Sequence, residues 1–165
     1  MFDWLKKKKN NSSDSTSVST ALAKRQQAEI NALYEEGNSL IARAELMPAF
    51  ERFSQALALV PQPREECDMT VRILAGLGDV YFYSKSFQQC LEVMSDAMHC
   101  VGGIGNPFLH LRLGQCQFEL GNLDRAADEL ARAYMGAGKE IFADDDPKYF
   151  DFLKTRLHPP ADGNW

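Results

Sequence analysis

The chain has no run approaching the ~18 apolar residues of a membrane span, no C-x-x-C pair and just three histidines. Each absence removes a class of function. Without the apolar run, no transmembrane helix is predicted. The apolar opening of "MFDWLKKKKN" is short and precedes its positive charges, the reverse of a secretory signal, so export is not expected. Cys67, Cys90, Cys100 and Cys116 are widely spaced and read as reduced thiols of a cytoplasmic protein. Positive charge is scarce once the head is passed. Residues 1–14 carry +2, and the remainder has 14 basic against 21 acidic residues, or -7. That is the wrong sign for nucleic-acid binding, which must neutralise phosphates. It suits a basic or apolar protein partner better.

What is present is one domain's length, 165 residues, and a repeat. In "LRLGQCQFELGNLDRAADELARAY" small and large apolar residues fall at regular offsets from Gly114. The same offsets recur from Gly37 and Gly78. At +9 stand Leu46, Phe87 and Leu123; at +12, Ala49, Cys90 and Ala126. At +16 stand Phe53, Met94 and Leu130; at +19, Ala56, Ala97 and Ala133. Two helices packed as an antiparallel hairpin explain the columns. The glycine and the +12 residue let two backbones approach, the +16 residue fills the adjoining space, and the last alanine lets the next hairpin stack. One hairpin cannot bury its apolar face alone, so copies share a continuous core.

With Leu77-Gly78, Tyr81, Phe87, Cys90, Met94 and Ala97 in the second copy, and Leu113-Gly114, Gly121, Leu123, Ala126, Leu130 and Ala133 in the third, the chain resembles the tetratricopeptide family over residues 30–138. Glu36 and Gln117 depart from that pattern, at a leucine and an aromatic column, and Phe118 stands one place late. The resemblance implies an all-α, right-handed α-α superhelix of three hairpins, at about 30–63, 64–104 and 105–138, closed by a C-terminal capping helix over 139–158. Residues 1–18 read as a flexible basic and serine-rich tail, and 159–165 as a short one. From about Ser19 to Ala44 the pattern is helical.

Gly37 to Gly78 is 41 residues and Gly78 to Gly114 is 36, against 34 for the family. The seven extra residues of the first gap, in "PQPREECDMT", equal two helical turns. The second copy's first helix is therefore expected to be lengthened at its start, with Pro63 opening it and Glu65 and Glu66 at its positive end. Asp146 reads as the N-cap of the last helix, ahead of Pro147 and an apolar stripe of Tyr149, Phe150, Phe152 and Leu153.

Candidates for chemistry are few. His110 and Cys116 lie six apart on one expected helix, about 240° around its axis, which rules out a Cys–His nucleophile there. His99, Cys100, His110 and Cys116 have no zinc-ligand spacing. "GGIGNP" follows a helix, whereas a phosphate cradle follows a strand; it reads as a turn with Pro107 opening the next helix. "DDDP" lacks the calcium-loop pattern and reads as the charged start of the last helix. Met47, Met94, Met98 and Met135 read as core filler. No pair of titratable groups carries a mechanism, so a non-enzymatic chain with no cofactor and no metal is expected.

The resemblance places a hollow along the first helix of each copy. It presents Asn31, Tyr34, Asn38 and Ile41, then Arg72, Ala75, Asp79, Phe82 and Tyr83, then Phe108, Leu111, Arg112, Gln115, Phe118 and Glu119. Its rings suit a partner's peptide or helix. Cover by the chain's own ends is the alternative. One subclass of the family grips a carboxylate with five polar residues. Asn38 and Arg112 match two of them, while Tyr34, Gly76 and Phe108 stand at the rest. An adaptor that binds a protein segment is therefore expected. The chain is also similar in size and repeat number to bacterial type III translocator chaperones, and its acidic body would suit an immunity protein facing a basic toxin. For the head, Phe2, Trp4, Leu5 and Lys6, Lys7, Lys8 and Lys9, three readings stay open: weak contact with an anionic membrane surface, a docking peptide, or a solvated start. An aromatic hollow also allows a homodimer.

Overall fold

The computed structural model describes residues 3–159, Gly163 and Trp165. Among the described residues it is all-α. The helices are α1 (Asp3–Ala42), α2 (Leu46–Leu59), α3 (Asp68–Tyr83), α4 (Phe87–Met98), α5 (Pro107–Glu119), α6 (Leu123–Ala137) and α7 (Lys148–Lys154). Two 3-10 turns, Arg64–Glu66 and Lys139–Phe142, fill longer connections. The hairpins α1–α2, α3–α4 and α5–α6 stack in chain order, with α3 in contact with both α1 and α5.

The repeat columns are the joints of this stack. Ala49, Cys90 and Ala126, Phe53, Met94 and Leu130, and Ala56, Ala97 and Ala133 are all 0 % exposed. Each hairpin's glycine makes room for the large residue sixteen places on. A methyl group added at Gly37 would strike Phe53, at Gly78 Met94, and at Gly114 Leu130. Phe53 presses equally on Gly76 of the next hairpin, so one ring locks two repeats together. The turns repeat as well. The amides of Glu45, Ser86 and Asn122 donate to the carbonyls of Leu40, Tyr81 and Gln117 at 2.8–2.9 Å. The residue just before each amide has positive φ: Ala44 (58°), Lys85 (60°) and Gly121 (80°). A left-handed residue there recovers carbonyls orphaned at the helix end. Only the third copy uses glycine, which adopts that conformation without steric cost.

The second hairpin's first helix is not lengthened by two turns. It starts at Asp68, three residues earlier relative to its glycine than α5 does, and not at Pro63. Pro63 (ψ 127°) and Cys67 (ψ 122°) are both extended and flank the 3-10 turn, which interrupts any continuous helix. The loop is tied down instead. The Thr70 hydroxyl donates to the Arg64 carbonyl at 2.6 Å, and the Val101 amide to the Glu65 carbonyl at 2.8 Å.

The ends differ too. The stretch expected as a flexible tail is helix from Asp3 onward. No glycine or proline precedes Gly37, and lengthening an existing helix needs no new nucleus. The side chains of the head, from Phe2 to Lys9, lie outside those described. Among the described residues no helix is long and apolar enough to cross a membrane. The capping helix is shorter than expected, Lys148–Lys154, because Gly138 (φ 73°) ends α6 and Pro147 disfavours helix at the residue before it. The N-cap position of α7 is Pro147 and not Asp146, but Asp146, one residue before it, still takes the Lys148 amide on its Oδ1 at 2.9 Å. Asn106 likewise accepts from the Phe108 amide at 3.0 Å, with Pro107 opening α5. Met94 is core, but Met47 and Met135 are 69 % and 77 % exposed and are not filler.

Candidate functional site

The first helices of the three hairpins, α1, α3 and α5, form the wall expected to line a hollow. At its α5 end, Leu111, Arg112 and Gln115 are buried and Phe108, Phe118 and Glu119 half-buried. What covers them is the chain itself. Arg112 donates from Nε to Asp79 Oδ1 (2.6 Å), and from Nη1 to Gln115 Oε1 (2.6 Å) and Asp145 Oδ1 (2.8 Å). Its Nη2 reaches the Tyr83 hydroxyl at 3.1 Å. The guanidinium stands 4.4 Å from the Phe82 ring centroid and 5.2 Å from that of Phe108. A planar cation with a fixed fork of donors is suited to such a site.

Burial works against the Arg112 charge, but the Asp79 and Asp145 carboxylates outweigh it and hold its pKa above the usual arginine value. The trio is net negative. Burial, by stripping water from the carboxylate, raises the Asp79 carboxyl above its ordinary range against the pull of Arg112 and with a smaller push from Asp145. A group 33 residues away in sequence thus takes a guanidinium that a partner's carboxylate would otherwise find. Arg112, one of the two residues matching a carboxylate grip, is occupied from within.

The rings at this end are covered in the same way. Tyr149 of α7 packs edge-on to Phe118 (5.5 Å between centroids) and tilted against Phe82 (6.3 Å). Phe152 meets Phe118 at 5.0 Å. The Tyr149 hydroxyl donates to Glu119 Oε1 at 2.7 Å, and Lys148 Nζ pairs with the same oxygen at 2.6 Å. Burial of Glu119 would raise its pKa, yet the bonds from Lys148 and Tyr149 prevail and hold it below the usual range.

The α1 end is open. Asn31 and Arg72 are exposed, and Tyr34, Asn38, Ile41 and Ala75 are half-buried. The Arg72 guanidinium lies 4.7 Å from the Tyr34 ring centroid. Tyr34 in turn leans on the buried Phe53 ring at 6.0 Å, which fixes its position. Asn31 Oδ1 accepts from Gln27 Nε2 at 3.0 Å. The expected continuous aromatic wall is therefore two halves. Phe82 and Phe118 belong to the covered one, Tyr34 faces out, and Tyr83 stands at their boundary, half in solvent with its hydroxyl on Arg112.

Elsewhere, α4, α5 and α6 bound a cleft of about 680 Å³ lined by Leu91, Met98 and Leu113 and by Asp124, Asp128 and Glu129 against one Arg125. The sequence reading missed this cleft, and missed Asp145 as a wall residue. It did mark the Tyr149 and Phe152 stripe, but not the surface that stripe would cover.

Geometry of this kind defines a tetratricopeptide-like stack of helical hairpins. Solved structures share it. PcrH from Pseudomonas aeruginosa is 19 % identical with a TM-score of 0.60, over 76 % of this chain and 89 % of that one. The C-terminal TPR-containing domain of a Plasmodium falciparum FK506-binding protein is 16 % identical with a TM-score of 0.62, over 79 % and 87 %. The Hsp90 co-chaperone Cns1 from Saccharomyces cerevisiae is 18 % identical with a TM-score of 0.59, over 79 % of this chain and 38 % of its own. No family model matches the chain, and no curated protein matches it in sequence. At these identities the likeness is one of fold.

Proposed function

We propose that this chain is a non-enzymatic interaction module that holds an extended or helical segment of a partner protein in the open half of its hollow. The observation that carries this reading is the pair of presented aromatic positions there. Tyr34 is fixed from beneath by Phe53 and capped by Arg72, and Tyr83, at the boundary with the closed half, stands half in solvent while its hydroxyl accepts from Arg112. Large rings with polar tips, held rigid before binding, lose little freedom on contact and anchor interfaces out of proportion to their number. A likeness to a co-chaperone supports a chaperone-like version of the same role. The test is capture of partner proteins by the native chain and by a Tyr34→Ala, Tyr83→Ala double variant with unchanged helix content. Loss of specific partners from the variant supports the reading; an identical captured set moves the site elsewhere.

A second reading draws on the cleft between α4 and α6, whose three acids outnumber its one arginine and suit a basic partner held by surface occlusion. Salt separates the two. Charge pairing weakens steeply as ionic strength rises, whereas ring packing does not.

A further inference from the structure

The closed half of the hollow displays the chemistry of its own occupant. An acidic connection, "ADDDP", lays the Asp145 carboxylate on Arg112 while the following aromatics pack on the wall's rings. The open half repeats the wall's side of that arrangement. Arg72 lies over Tyr34 as Arg112 lies over Phe82, at 4.7 Å and 4.4 Å. Asn38 follows Tyr34 one turn on along α1, while Tyr83, eleven residues beyond Arg72 on α3, belongs with Arg112. One element is missing. No carboxylate of the described residues lies within ion-pair distance of Arg72, whose Nη1 donates to Met69 Sδ at 3.8 Å. The nearby acid of the same wall, Asp79, is already held by Arg112.

We propose that the open half takes an acidic, aromatic-bearing segment of a partner protein, one carboxylate of which pairs with Arg72 beside Tyr34. This rests on the groove reading above and narrows it to a class of partner. Charge complementarity selects that class: a guanidinium already stacked on a ring keeps its fork of donors free for a carboxylate. The chain's own head, with its four lysines, has the wrong sign for this half.

Selection of a displayed library of random twelve-residue peptides on the full-length protein tests this without knowing the partner. The expected result is enrichment of aspartate or glutamate close to an aromatic residue, in peptides whose binding is lost on the Tyr34→Ala, Tyr83→Ala protein. The affinity of such a peptide should fall about tenfold for Arg72→Glu, and similarly when its acid is replaced by the amide. Arg72→Gln should lie between native and Arg72→Glu, with thermal unfolding of all three alike. Groove-dependent peptides that are neutral or basic, or that ignore Arg72→Glu, overturn the acidic inference and leave the groove standing. Failure to recover any peptide that depends on Tyr34 or Tyr83 overturns both.

Discussion

The two halves of the hollow share α3 and the same residue types, yet one is interior and the other is surface. At the α5 end an arginine is 5 % exposed at its side chain and shared by two carboxylates. At the α1 end an arginine of the same wall is exposed and has neither. The difference lies in the chain's C-terminal segment, which supplies a carboxylate and two rings to one half only. A repeat stack must close its last apolar face, and here the closure extends past the end of the stack onto the inner wall. One half therefore bears on stability, and the other is the half we propose for recognition.

The contrast is tested hardest at Arg112. Replacement by alanine leaves Asp79 and Asp145 facing each other without a cation. Removing one partner of a buried ion pair costs about 3–5 kcal/mol, and urea unfolding should show a loss of that size. A loss below about 1 kcal/mol would mean that the trio does not hold the closed half. Next comes Leu153, the 0 % exposed leucine of α7. Leu153→Ala should cost about 2–5 kcal/mol from lost transfer and the cavity left behind. It should also speed proteolysis within residues 143–157, since the segment loses its one fully buried leucine.

A smaller effect sits at Glu119. Its pKa is held below the usual range, so its contribution is complete above the ordinary glutamate value and is lost as pH falls through the folded one. Lys148 is raised by the same contact, so its share disappears as pH rises through its own folded value. Because Lys148 is 43 % exposed, solvent screening limits the pair to about 0.5–1 kcal/mol at neutral pH. The stability difference between the native chain and Glu119→Gln should shrink steadily from pH 7 to pH 3. Asp79 runs the other way, since its raised pKa means acid relieves a buried charge there. That is why the difference, and not the raw curve, is the quantity to follow. A constant difference would remove Glu119 from the closure.

The hairpins were legible in the sequence because their joints are local. Gly37, Gly78 and Gly114 each face a residue sixteen places on, and that spacing shows in the chain as columns. The closure was not, because its contacts are set by packing across the fold. Arg112 meets both Asp79 and Asp145 across 33 residues, and an apolar stripe on α7 announces that it will be covered without saying by what. The insertion was misread for a related reason. Seven residues fit two turns in phase, but phase alone does not distinguish helix from a tied-down loop, and the extended residues at Pro63 and Cys67 depend on neighbours such as Thr70 and Val101. The left-handed Ala44 and Lys85 carry no sequence mark at all; only Gly121 does.

The least disruptive change is the sharpest probe of the open half. Arg72 and Tyr83 are exposed, and truncating an exposed side chain away from caps and buried networks usually shifts stability by no more than about 0.5 kcal/mol. Arg72→Ala should stay inside that range, because its stacking on Tyr34 is solvent-exposed and weak. Tyr83→Ala should exceed it, at about 1 kcal/mol, because its hydroxyl accepts from the buried Arg112 at 3.1 Å, while Nε and Nη1 keep their carboxylates without it. Differential scanning calorimetry of both variants checks this. A loss of several kcal/mol from either would make the open half part of the scaffold, and the division between a sealed and a presented wall would have to be abandoned. Unchanged melting of Arg72→Ala together with lost partner capture is the pattern that a surface reserved for another polypeptide requires.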